Sequence, residues 1–170
     1  MRKINAAYSA LALACISAAA FAADVPDAKP VTASDSEMIA RGRYMVVTGH
    51  CNNCHTAEYG NKQGQLPEDK WLLGGNVGHR GPWGTTYPHN LRITASRMTE
   101  QQWVGYMKEL RTRPPMPWWS INETTEQDTR AMYRFIKSLG PVGKPAPDAL
   151  PPGKEPAPPF VTWPASRAPG

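Results

Sequence analysis

Apolar residues recur at helical spacing in three separate stretches of this chain. From Asp35 to about Gly49, DSEMIARGRYMVVTG places Ile39, Tyr44 or Arg43, Val46 and Val47 near a 3.6-residue period, with Ser34 or Asp35 positioned as a cap. A second helix is predicted over about Thr99 to Leu110. There Trp103, Tyr106, Met107 and Leu110 fall at i, i+3, i+4 and i+7, and Thr99 with Gln102 forms a capping-box pattern. The third helix is the clearest: Thr125 and Asp128 cap it, Met132, Phe135, Ile136 and Leu139 make one apolar stripe, and Gly140-Pro141 ends it. Gly42 falls inside the first helix, where it costs about 1 kcal/mol relative to Ala. A side chain that small permits close approach of another helix.

The segments between these helices lack either period. Residues 56–98 are rich in turn-formers, as in LLGGNVGHRGPWGTTYPHN, and predict a long loop with one short helix. A loop of that length in a compact domain ordinarily surrounds something. In RTRPPMPWWSI, after the second helix, three prolines argue against helix. Residues 141–170 hold ten prolines, which disfavours helix and central strand alike. Phe160, Val161 and Trp163 are the residues able to pin this tail to the domain; the alternative is a disordered extension. With no convincing strand run, the pattern predicts an all-α domain over residues 35–141, three main helices plus long loops. A flexible lead-in at 23–34 and a Pro-rich C-terminal tail at 142–170 flank it.

Composition sharpens the picture at the core. The 170 residues include 18 Pro, 14 Gly and 6 Trp but only 3 Phe, so loops carry much of the fold and something besides aliphatic side chains fills its centre. The first 22 residues read as an export signal: Arg2 and Lys3, an apolar run, then Ala20 and Ala22 around Phe21, with cleavage after Ala22. The most apolar part, Leu11 to Phe21, is short for a bilayer span and no charged stop follows it. Lipid attachment at Cys15 is a weaker rival, since Ala12 stands where a lipoprotein signal more usually carries Leu. No other stretch is apolar enough to span, so a soluble, exported, periplasmic protein is expected. Removing Arg2 and Lys3 leaves 17 basic against 14 acidic residues, a net charge of +3. The basic residues are scattered, without the run or stripe that nucleic-acid binding requires.

The chemistry concentrates in HCNNCHTAEYG, residues 50–60, where Cys51, Cys54 and His55 admit three readings. A zinc site takes four ligands, commonly in two close pairs, and His79 and His89 lack a short helical pair spacing. A thioredoxin-like disulfide needs strands alternating with helices around the motif, whereas here a helix runs in and loops run out. Covalent haem explains more. Thiols at i and i+3 lie on one side of a helical turn and reach both vinyl groups of one porphyrin, while the histidine behind them supplies an axial nitrogen. Attachment of this kind is made outside the cytoplasm, in agreement with the export signal, and the macrocycle supplies the missing core.

For the opposite axial position, Met107 and Met132 belong to helical apolar stripes, where core roles suit them better, and Met98 lies just ahead of a helix cap. Met116, fixed between Pro115 and Pro117, is the candidate of choice because its backbone has few conformations. His79 or His89 is the runner-up. With both axial positions filled, the function is outer-sphere transfer of one electron. With Met116 unbound, a haem-based sensor or peroxidase-like protein follows.

These residues resemble class I c-type cytochromes, monohaem electron carriers, over roughly Ser36 to Pro141. The resemblance is carried by RGRYMVVTGHCNNCH, by LLGG with GPWGTTYPHNL, by MPWW and by EQDTRAMYRFIKSLGPV. The last three are similar to haem domains in cytochrome subunits of periplasmic quinoprotein alcohol dehydrogenases and related molybdenum aldehyde-oxidising enzymes. The resemblance implies a cytochrome c fold with one covalent haem c, thioethers at Cys51 and Cys54, His55 proximal and Met116 distal. It further implies Trp83 and Trp118 near the ring, Gly42 meeting the closing helix near Tyr133, and a loop of Trp83, Gly84, Thr85 and Asn90 over the haem edge. The implied partners are redox proteins: a periplasmic dehydrogenase, which this chain would serve as electron-accepting subunit, or an oxidase or respiratory complex. Two features depart from the pattern. Those subunits typically hold three such domains against one motif here, and this chain reads NLRITASRMT where they continue past the Asn with Thr-Pro-Asp.

Overall fold

A computed structural model of the chain describes residues 33–164. The export signal, all but the end of the lead-in and the last six residues of the tail lie outside the described residues. The three long helices form where the apolar period places them: α1 over Asp35–Thr48, α4 over Glu100–Glu109 and α6 over Glu126–Ser138. Each starts on its expected cap. The Ser34 side chain accepts from the Glu37 amide and Thr99 from the Gln102 amide, both as complete capping boxes, and Thr125 accepts from the Asp128 amide.

The core lies where α1, α4 and α6 meet. Met132, Phe135 and Ile136 of α6 are buried against Val46, Trp103, Met107 and Leu110. Burying each large apolar side chain in this way contributes about 1.5–3 kcal/mol. α1 crosses α6 at Gly42, where a Cβ would collide with the Ala131 carbonyl and stand 2.8 Å from Phe135 Cβ. The contact therefore falls on the two residues that bracket Tyr133 in sequence. Tyr106 departs from the expected stripe and is 37% exposed, while Met38, outside the expected period, is buried. Ion pairs lock the helix surfaces: Arg41 with Asp128 at 2.7 Å, and Arg130 and Arg134 both with Glu100 at 3.0 Å.

Three short helices supplement the long ones: α2 over Cys51–His55, α3 over Leu91–Ser96 and α5 over Trp118–Asn122. The prolines of RTRPPMPWWSI do not exclude helix. They end at the N-terminus of α5, where Pro117 is the cap residue and a missing amide proton costs nothing.

The all-α expectation also requires correction. Residues β1 Gly78–Gly81, β2 Gly84–Thr86 and β3 Phe160–Thr162 form a small sheet in the order β2-β1-β3. β1 and β2 pair antiparallel with His79 opposite Thr86; β1 and β3 pair parallel with His79 opposite Val161. Strands of three or four residues, rich in Gly and Thr, carry too little alternation to register as period-two segments. Within the Pro-rich tail, Phe160–Thr162 thus form an edge strand of the sheet and Leu150 bridges to Thr85. Among the described residues no helix is long and apolar enough to cross a membrane.

Candidate functional site

The CNNCH segment is a single helical turn held at both ends. His50, in the left-handed region at φ 59°, turns the chain from the end of α1 into α2. Beyond the turn, Thr56 Oγ1 donates to Asn52 Oδ1 at 2.7 Å and accepts from the Leu72 amide at 2.8 Å, and the Gly74 amide donates to the His55 carbonyl at 2.8 Å. Cys51 is half-buried and Cys54 exposed, and neither is bonded to the other. Burial pushes the Cys51 thiol up to about 11 and raises that of Cys54 as well.

His55 is 8% exposed, and its Nδ1 lies 2.7 Å from the His89 carbonyl oxygen. A carbonyl can only accept, so Nδ1 carries the proton and Nε2 keeps its lone pair. Burial, partly offset by that hydrogen bond, lowers the His55 pKa, so the ring is neutral near pH 7. A neutral imidazole with a fixed tautomer is the metal-ligating form. Among the described residues no three His, Cys, Asp or Glu side chains converge on one point, so the four ligands of a zinc site are not assembled.

The other histidines are placed by their own contacts. The main chain of His89 serves the His55 ring. His79 Nδ1 accepts from Trp163 Nε1 at 3.1 Å, and the two rings lie 6.0 Å apart. Met107 and Met132 are buried in the core as expected, and the Met98 carbonyl accepts from the Tyr133 hydroxyl at 2.7 Å. Met116 is half-buried against the core beside Trp118. Its loop is tied down on both sides. Arg113 Nη1 donates to the Trp83 carbonyl at 2.9 Å and the Leu150 carbonyl at 3.0 Å, and Thr86 Oγ1 donates to the Pro114 carbonyl at 2.9 Å. Arg111 lies 4.2 Å over the Trp118 ring and donates to Asn122 Oδ1, whose Nδ2 donates to the Met107 carbonyl.

On the β1–β2 hairpin, Trp83 Nε1 and Thr85 Oγ1 are buried without a hydrogen-bond partner. Leaving such a group unpaired costs about 1–3 kcal/mol, so two on one hairpin fit a bound group that offers acceptors there. Asn90 is committed elsewhere: Oδ1 accepts from the Ile93 amide and Nδ2 donates to the Val142 carbonyl. A neutral imidazole, two unbonded thiols one helical turn apart and an unsatisfied indole N–H are together suited to an iron porphyrin with acidic substituents. Sequence reading missed Arg113, Leu150 and the His89 carbonyl, whose roles depend on contacts with distant parts of the chain.

Comparison with known proteins agrees with this chemistry. The family described as Cytochrome c matches residues 39–140, from α1 to the end of α6. The cytochrome c subunits of alcohol dehydrogenase (quinone) from Gluconacetobacter polyoxogenes and Komagataeibacter europaeus are each 27% identical over 177 residues, covering 98% of this chain and 32% of theirs. The chain thus spans about a third of the length of the curated relatives it matches. No solved structure matches it. With the family match running through CNNCH and both flanking helices, the chain belongs to the cytochrome c family and is an electron carrier with covalently bound haem c.

Proposed function

We propose that this chain is a periplasmic single-electron carrier whose one haem c is ligated by His55 and Met116. Cys51 and Cys54 hold the thioether links, and Trp83 and Trp118 pack beside the ring. The observation that carries the reading is His55: buried, neutral, with Nδ1 bound to the His89 carbonyl and Nε2 free, directly behind two unbonded thiols. When bound, haem c supplies an iron that changes oxidation state by one electron.

The chain's own residues do the rest. The His89 carbonyl orients the His55 ring and increases its basicity as a ligand. Trp83 Nε1 and Thr85 Oγ1, buried without partners, would be free to donate to acidic groups of a bound haem. The ties on the 111–117 loop restrain Met116, whose thioether would hold the iron together with His55 and so would exclude oxygen and substrate. Electron transfer then runs outer-sphere, with burial and ligand type setting the potential. Residues 1–22 act as a cleaved export signal.

The names of the relatives favour a more particular role as the electron-accepting subunit of a periplasmic dehydrogenase. Co-purification with a larger catalytic chain tests it.

Protein secreted with haem-maturation machinery should lack residues 1–22 and carry one haem on the peptide containing Cys51 and Cys54. Its oxidised form should show a red sulfur-to-iron charge-transfer band. Met116→Ala should abolish that band, lower the potential and admit carbon monoxide to the reduced protein. Bare thiols would overturn the attachment, and an unchanged spectrum would remove Met116 from the site. Carbon monoxide binding by the unsubstituted reduced protein would favour a haem sensor or peroxidase-like protein instead.

A further inference from the structure

The C-terminal segment, which lies beyond the family match at 39–140, is joined to the site at several points. Leu150 exchanges both main-chain hydrogen bonds with Thr85, at 2.9 and 3.0 Å. Gly84 lies against the same carbonyl at φ +94°, where a Cβ would collide with Leu150 O. Further along, β3 pairs with β1, the Trp163 amide donates to the Arg80 carbonyl at 2.7 Å, and Arg80 pairs with Glu155 at 2.7 Å. The segment therefore crosses the whole β1–β2 hairpin and is fastened on both sides of it.

Arg113 connects this segment to the Met116 loop. Five other arginines, at 41, 43, 80, 130 and 134, pair with carboxylates. Arg113 instead donates through one nitrogen to two carbonyls, Trp83 of the hairpin and Leu150 of the C-terminal segment. The guanidinium thus sits where three pieces of chain meet, three residues before Met116.

We propose that residues 142–164 form a strap that holds the Met116 loop closed through Arg113, so that Arg113 is a positioning residue for the axial sulfur. The inference rests on Met116 ligation as argued above. A ligand carried on a loop leaves when the loop opens, and that opening equilibrium is set by the contacts that exist only in the closed state. A hydrogen bond from a charged donor to the strap is such a contact, and its loss raises the open fraction roughly ten-fold. Gly84 supplies a second handle, because a side chain there would displace the Leu150 carbonyl that accepts from Arg113 while keeping the guanidinium itself.

The test uses full-length holoprotein and the affinity of added imidazole for the oxidised iron, followed by loss of the sulfur-to-iron charge-transfer band. Arg113→Gln and Gly84→Ala should each raise imidazole affinity about ten-fold, with Arg113→Lys between them and the parent. Far-ultraviolet circular dichroism establishes that the variants are folded; should Gly84→Ala fail to fold, the surface change Arg113→Gln carries the test. A parent that shows the band, with affinities indistinguishable across the series, overturns the strap while leaving Met116 ligation intact. A parent without the band overturns both.

Discussion

The His55 ring hydrogen-bonds through Nδ1 to the main-chain oxygen of His89 at 2.7 Å, joining residues 34 positions apart. This contact sets the tautomer of the proposed iron ligand and fixes the plane of its ring. It exists because the chain at 88–90 is pressed against Gly74, where a Cβ would lie 2.7 Å from Pro88 O and 2.9 Å from the His89 carbonyl carbon.

Gly74→Ala should therefore act on the ligand at a distance. The position is also at φ +81°, so the new methyl group adds backbone strain to the collision. A loss of about 1–3 kcal/mol in denaturant unfolding of the holoprotein is expected. The potential should move as well, because the ring loses its fixed acceptor. Stability loss with an unchanged potential would uncouple His89 from the iron.

Gly42→Ala should destabilise the fold without a selective effect on the site. Its Cβ meets the main chain of Ala131, which cannot rotate away. α1 and α6 must then separate, at about 1–3 kcal/mol. Urea unfolding measures this, and a neutral result would mean that the helices slide past one another at little cost.

Trp83→Phe gives opposite signs in the two forms of the protein. The buried indole N–H has no partner within the chain, so removing it from haem-free protein should be neutral or slightly stabilising. In holoprotein the same change should cost about 1–2 kcal/mol if Nε1 donates to an acidic group of the haem. Paired denaturation curves distinguish the cases; equal effects in both forms would remove that hydrogen bond.

The Arg41–Asp128 pair predicts an acid-side loss of stability. The hydrogen bond from Arg41, aided by one from Thr125, outweighs burial and holds the Asp128 carboxyl below its ordinary value of 3.8. A group depressed in the folded state contributes its stability above the unfolded pKa, and that contribution fades as pH falls through the folded value. Arg41 is 49% exposed, so solvent screening keeps the effect small. Asp128→Asn should lower the unfolding midpoint slightly at pH 7 and leave it unchanged once the pH is low enough to protonate the carboxyl in both states. An equal change at both pH values would mean that the Thr125 cap, rather than the charge, is responsible.

How far the chain could be read in advance follows the range of the forces involved. α6 was legible because Met132, Phe135 and Ile136 recur with the period of the helix and Thr125 marks its start. α5 was not, because three prolines hid a short turn that begins immediately after the last of them. The sheet was hidden for another reason: Gly78 meets Phe160 across most of the domain, and neither strand signals alone. At the site, Cys51, Cys54 and His55 were evident from spacing, whereas Arg113 resembled any other loop arginine.

The linear order of residues by itself determined the three long helices, their caps and the CNNCH turn, since each rests on contacts between residues a few positions apart. Only the tertiary structure decided which carbonyl orients His55, which groups are buried without partners, and that the C-terminal segment reaches the Met116 loop. Those features depend on contacts between remote parts of the chain, and packing creates them only once the helices have met.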